Sequence, residues 1–372
     1  MHRTQILEEA DRLMTVCNSC RYCEGLCAVF PAMEMRRAFS DGDLNYLANL
    51  CHACGACYTD CQFSPPHEFN VNVPQTLAIA RAESYAAYAW PRAFAGTFAR
   101  NGLVISLIAA LSVAAFILGF AAYHDKQTLF GVHTGPGAFY KLMPHNAMAA
   151  LFGAVFLYAV VALIMGVRAF WRDIGEPIGQ KADAGSIWQA IRDAGSLRYL
   201  DGGGVGCFNE DDRPTDRRKL FHHLTFYGFL LCFASTSVAT LYHYLLAREA
   251  PYAWWDAPVV LGTLGGIGLL IGPIGLLAAR WKRDPVLVDQ QQLGMDTAFI
   301  VMLLLTSLTG IALLILRDTS AMGPLLALHL GVVFALFLTM PYGKFVHGIY
   351  RFVALVRYAR ERRMMAHGTA SE

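Results

Sequence analysis

Six uncharged stretches, residues 103–123, 147–167, 224–247, 257–279, 297–316 and 321–343, limit what this chain can become. Each runs to about 20 residues or more. At a rise of about 1.5 Å per residue, each reaches across a hydrocarbon layer of roughly 30 Å. The composition agrees: 55% of residues are hydrophobic and 16% charged, against roughly 25% charged in an ordinary soluble domain. The formal net charge of +2 is too small for a nucleic-acid footprint. The expected class is all-α, with a soluble helical domain over 1–100, a six-helix membrane bundle over 101–350 and a basic tail over 351–372.

The basic residues choose a side. The segment 168–219 carries nine Lys and Arg, the connection after the fourth stretch has Arg280, Lys282 and Arg283, and the tail adds Lys344, Arg351, Arg357 and Arg360 among others. The opposite connections hold only Lys126, Lys141, Arg248 and Arg317. Positive residues mark the cytoplasmic face. Both termini are therefore expected in the cytoplasm of a bacterium, with the bundle in its inner membrane. Residues 1–16 show no secretory apolar core, so the cysteines behind them are expected to meet a reducing compartment.

Eight of the ten cysteines fall in two copies of one pattern, Cys17-x2-Cys20-x2-Cys23-x3-Cys27 and Cys51-x2-Cys54-x2-Cys57-x3-Cys61. This is the spacing of bacterial proteins that carry two [4Fe–4S] clusters, in which the fourth thiolate of each cubane comes from the opposite copy. Cys17, Cys20, Cys23 and Cys61 are thus expected to hold one cluster, and Cys27, Cys51, Cys54 and Cys57 the other. Zinc also takes four thiolates, but it does not explain a third and fourth cysteine repeated at the same intervals. The usual proline after the fourth cysteine is absent from both copies. Gly25 and Gly55 lie where the backbone must turn tightly. The run from Asp201 through four glycines to Cys207 lacks a phosphate-loop spacing and reads as a tight turn, with docking of a partner or cofactor as the other reading.

Histidines inside apolar stretches suggest cofactor ligands. His329 and His347 are 18 residues apart, about five turns of a continuous helix, which puts them on one face. On the third stretch, His222 lies about 60° from the direction of His243 and His223 about 160°. Antiparallel threading then pairs His243 with His329 and His222 with His347, as axial ligands of two b haems stacked across the bilayer. His223 and His145 are alternates. His124 and His133 read as outer-surface residues, and His52 and His67 as neighbours of the clusters. Two other readings compete: a self-contained reductase of the heterodisulfide type, and a transporter with a redox-sensing cap. The first lacks a catalytic set and the second a repeat, although Pro273 is expected to break the fourth stretch.

The run CNSCRYCEGLCAVFPAME, the longer CHACGACYTDCQFSPPHEFNVNVPQTLAIARAESY and the HHLTFYGF opening of the third stretch resemble the tricarballylate-utilization protein B family, also called citrate-utilization protein B. The membrane half is similar to the haem b gamma subunits of respiratory nitrate reductases. The resemblance implies a partner FAD-dependent dehydrogenase that oxidises tricarballylate to cis-aconitate. A protein of this family then reoxidises the flavin and passes electrons, through the clusters and haem, to the quinone pool.

Overall fold

The structure, a computed structural model, describes residues 2–100, 102–175, 183–208 and 213–368. Helices carry the described chain, and its one β contact is an isolated bridge between Cys207 and Thr215.

The N-terminal domain is built from α1 (Gln5–Cys20), α2 (Val29–Glu34), α3 (Asp41–Leu50), α4 (Ala56–Thr59) and α5 (Val73–Tyr88). Local signals start the two long inner helices. Ser40 caps α3 by accepting from the Asp43 amide at 3.1 Å, while Asp43 accepts from the Ser40 amide at 3.2 Å. Asn72 caps α5 ahead of Pro74, whose missing N–H costs nothing in a first turn. Leu13, Met14, Leu44, Tyr46, Leu47 and Leu77 are fully enclosed among these helices.

A 3-10 stretch, Arg92–Arg100, leads to the long helices: α6 (Leu103–Tyr123), α8 (His145–Ile174), α10 (Arg217–Leu246), α11 (Ala257–Trp281), α12 (Leu293–Leu316) and α13 (Met322–Thr339). Short α7 (Lys126–Leu129) and α9 (Ala184–Gly195) lie between them, and α14 (Val346–Gly368) follows. Six helices are long and apolar enough to cross a membrane. Their outward residues, such as Leu111, Leu118, Leu157 and Ile315, are more than three-fifths exposed, as a surface facing acyl chains requires.

The spans alternate in direction. Asp173 at the end of α8 bonds Arg3, Asn45 and Tyr88. Arg218 at the start of α10 reaches the Ala53 carbonyl, Gln292 before α12 reaches Phe98, and Tyr342 after α13 reaches Trp90. One end of the bundle thus carries the N-terminal domain. At the other end the Gly137 amide donates to Ala250 and Arg317 donates to Tyr252.

Three expectations change. The helix that was to carry both His329 and His347 ends at Thr339, because Pro341 offers no amide to continue the ladder. Met340–Tyr342 tightens and Gly343 is extended before α14 begins. The tail expected over 351–372 runs through Gly368 as part of α14, and Val353 through Arg360 are buried. Arg36 and Arg357 meet Asp43 at 2.7 and 3.2 Å and share Glu361, to which Tyr46 also donates, so the basic segment is drawn inward by buried acids. Pro273 sits inside a continuous α11 and makes no break between elements.

Small residues let α10 and α11 approach closely. A Cβ on Gly265 would lie 2.8 Å from the Cys232 amide, and one on Gly268 2.9 Å from the Leu224 carbonyl. Gly265→Val is expected to overpack this contact at a cost of about 1–3 kcal/mol, read as a lower thermal midpoint in detergent. Gly119→Val, with nothing within 4 Å of its Cβ, should leave the midpoint unchanged; equal midpoints for both variants would contradict the packing.

Candidate metal centres and membrane histidines

The first cysteine copy is laid out by the end of α1. Arg21 takes a left-handed conformation (φ 56°) and closes the last turn on the Cys17 carbonyl at 2.8 Å, so Cys17 and Cys20 lie on that turn. Cys23 begins the next turn, closed by the Leu26 amide at 3.0 Å. The second copy starts where α3 stops, at Cys51, and bends through Ala53 (φ 47°) and Gly55 (φ 87°) into α4.

The two copies face each other and exchange their last cysteines. Cys17, Cys20, Cys23 and Cys61 line one cavity of about 240 Å³, which also borders Cys57. Cys27, Cys51, Cys54 and Cys57 line a second, smaller one of about 20 Å³ with His52. Burial and the neighbouring thiols push Cys17 and Cys23 up to about 12, and the same two causes raise Cys27 and Cys57. Thiols held protonated in this way are poor nucleophiles. A cation within reach of all four would deprotonate them, so the donor sets suit a metal–sulfur centre. Among the described residues no three His, Cys, Asp or Glu side chains converge as a single metal ion needs. Each cysteine set instead lines a cavity, and the repeated four-cysteine spacing is the one two-cluster proteins use.

The glycine run closes the second set. Gly202, Gly203, Gly204 and Gly206 all have positive φ. A Cβ on Gly203 would sit 3.1 Å from the Gly25 carbonyl, and the Phe208 amide donates to the Cys54 carbonyl at 2.8 Å. Cys207, which stood alone in the sequence, is fully buried, donates to the Leu200 carbonyl at 3.8 Å and packs with Cys54. No spacing rule links the two cysteines; only the fold brings them together. The first set stays more open, with Tyr22 exposed beside it.

The chain belongs to the citrate utilization protein B family. Residues 96–368 match the family described as Citrate utilization protein B, and residues 10–87 match its Fer4-like domain. The chain is 53% identical over 356 residues to Citrate utilization protein B of Escherichia coli, across 95% of this chain and 92% of that protein. No solved structure matches.

In this family member the inner histidines meet. His222 and His347 have ring centroids 6.0 Å apart at 66°. His347 donates from Nδ1 to the Lys344 carbonyl at 2.5 Å, while Nδ1 of His222 is buried without a partner. Burial, then Lys344, holds His347 well below the usual imidazole range, in its neutral, ligating form. His52, likewise buried and neutral, is held down by burial and then by Arg351 and Arg218. His223 turns toward Tyr227.

The outer histidines are arranged differently from the sequence pairing. His243 stacks on His145, with centroids 3.5 Å apart and planes within 16°. His329 instead bonds Thr309 Oγ1 at 2.9 Å. His124 and His133 bond the backbone carbonyls of Leu142 and Thr128.

Gly55 turns at φ 87°, and a Cβ there would lie 2.2 Å from the Phe208 carbonyl. Gly55→Ala should cost about 1–3 kcal/mol of local strain and lift the glycine run. Amide exchange across 200–208 is then expected to accelerate about 5-fold or more, whereas unchanged exchange would contradict the seal.

Proposed function

We propose that the chain is a membrane-bound electron-transfer protein holding two [4Fe–4S] clusters, one on Cys17, Cys20, Cys23 and Cys61 and one on Cys27, Cys51, Cys54 and Cys57. The observation that carries this reading is the exchange of Cys27 and Cys61 between the copies, so that each cavity meets its full set of four thiols, with Cys57 bordering both, as two-cluster proteins require. Clusters bound there supply one-electron chemistry; the chain contributes the thiolates, the shared wall at Cys57 and the exclusion of water by the glycine run. The open side of the first set suits a donor protein, and the second set faces the bundle.

The proposed donor is the reduced FAD of a partner dehydrogenase acting on a tricarboxylic acid, by resemblance tricarballylate. The proposed acceptor is the quinone pool of a bacterial inner membrane, with both termini cytoplasmic. The basic connections and the family description support this setting.

The inner histidines fit a b haem. His222 and His347, whose ring centroids lie 6.0 Å apart, would hold a b haem, and the Lys344 carbonyl would orient His347 as an outer-shell acceptor does. His145 and His243 touch face to face and leave no room for a group between them, so the proposed path relies on His222 and His347 alone.

Anaerobically purified protein is expected to contain about eight non-haem iron and eight acid-labile sulfide per chain, with cluster EPR signals after reduction. Zinc, or essentially no iron, would sink the reading. Cys20→Ser should remove about half of the iron and spare one EPR signal. His347→Ala should abolish a reduced-minus-oxidised Soret change that His329→Ala leaves in place; the reverse pattern would reassign the ligand.

A further inference from the structure

The backbone of the second copy is gripped by four arginines from four separate parts of the chain. Arg81 on α5 donates to the Cys51 carbonyl. Arg351 on α14 donates to the same carbonyl at 2.5 Å and to Asn49 at 3.2 Å. Arg218 on α10 donates to His52 at 3.0 Å and Ala53 at 2.9 Å. Arg283, just beyond α11, also donates to Ala53.

Carbonyls accept from these side chains but leave their charges uncancelled, and Nε of Arg283 is buried without a partner. Among the described residues, none of the four lies within ion-pair distance of a carboxylate. Asp296 faces Arg283 but is tied to Lys344 at 2.8 Å and Arg280 at 2.9 Å. Asp289 faces Arg81 from farther off. The same molecule pairs other buried arginines directly, as Arg36 and Arg357 show with Asp43 and Glu361. Leaving several half-buried guanidinium groups without acids is costly unless another negative centre offsets them. The adjacent negative centre is the thiolate set Cys27, Cys51, Cys54 and Cys57. A four-thiolate cubane is anionic and gains one further negative charge on reduction.

The first set lacks such a collar. It is bordered by Asp60, which opposes negative charge on Cys23, and Arg21, next to Cys20 in the chain, is exposed and bonded to the Asn18 carbonyl.

We propose that Arg81, Arg218, Arg283 and Arg351 form a cationic collar that makes the second-copy cluster the higher-potential member of the pair. The proposal rests on the cluster reading above. One electron leaves the first-copy centre, which is oxidised, and enters the second-copy centre, which is reduced; no proton need move. The collar thereby holds the electron beside His222 and His347, at the bundle.

The test is an EPR-monitored redox titration of the full chain in detergent. In Arg81→Gln and in Arg351→Gln, the centre that has the higher midpoint in the unaltered protein should shift. Its reduced-to-oxidised ratio at fixed potential should fall about 10-fold or more, which is about 59 mV for a one-electron couple. The other centre should stay within about 2-fold. Arg81→Lys and Arg351→Lys, which keep the charge, should lose less than about 3-fold. Loss of the centre in the Gln variants but not in the Lys variants would also support a charge requirement. Unchanged potentials in Gln variants with both signals intact, equal shifts in both centres, a shift confined to the lower-potential centre, or equal losses in the Lys and Gln variants would each overturn the collar. Absence of two centres from the unaltered protein would instead overturn the cluster reading, and the collar with it.

Discussion

The carbonyl groups of Asn49, Cys51, His52 and Ala53 point at guanidinium groups brought by α5, α10, the segment after α11, and α14. This joint decides how the soluble domain meets the membrane helices. A backbone bend is a poor anchor by itself, because its carbonyls must be satisfied when they leave water. Here they are met by side chains from α5 of the same domain, from the start of α10, from the segment after α11 and from α14, so the turn that presents three cysteines is tied both to its own domain and to the ends of the bundle. The second copy cannot move without disturbing helix ends.

Around that joint the molecule is graded from open to closed. The first cysteine set borders the larger cavity and exposed Tyr22, while the second is roofed by the glycine run and floored by His52. Beyond His52 lie His222 and His347, at the start of α10 and in the first turn of α14. A one-electron carrier needs this kind of order: an accessible entrance, a dry interior and an exit into the membrane. The acidic and basic groups that fasten α14 to α3, with Arg36 and Arg357 against Asp43 and Glu361, keep the histidine end of the order in place.

Much of the site was legible before folding because its signals are local. Cysteine intervals within a copy set which sulfurs can reach one centre, and their repetition implied that Cys27 and Cys61 would change places. His222 and His347 lie close together, although the single helix expected to carry both His329 and His347 is two helices. His329 and His347 do not share a helix, since Pro341 and Gly343 separate them, yet His347, in the first turn of α14, meets His222 at the start of α10. The outer pairing depended wholly on depth along ideal rods, and the fold stacks His243 on His145 instead.

The sequence by itself determined the six apolar helices, the two cysteine copies and the crowding of positive residues at one end, because each depends on run length, spacing or composition along the chain. Only the tertiary structure decided that Cys207 lies against Cys54, that the glycine run roofs the second copy, and that four arginines converge on one bend. Those contacts join residues from tens to hundreds of positions apart, and no periodicity connects them. They arise where helix ends meet, and where helix ends meet is settled by packing.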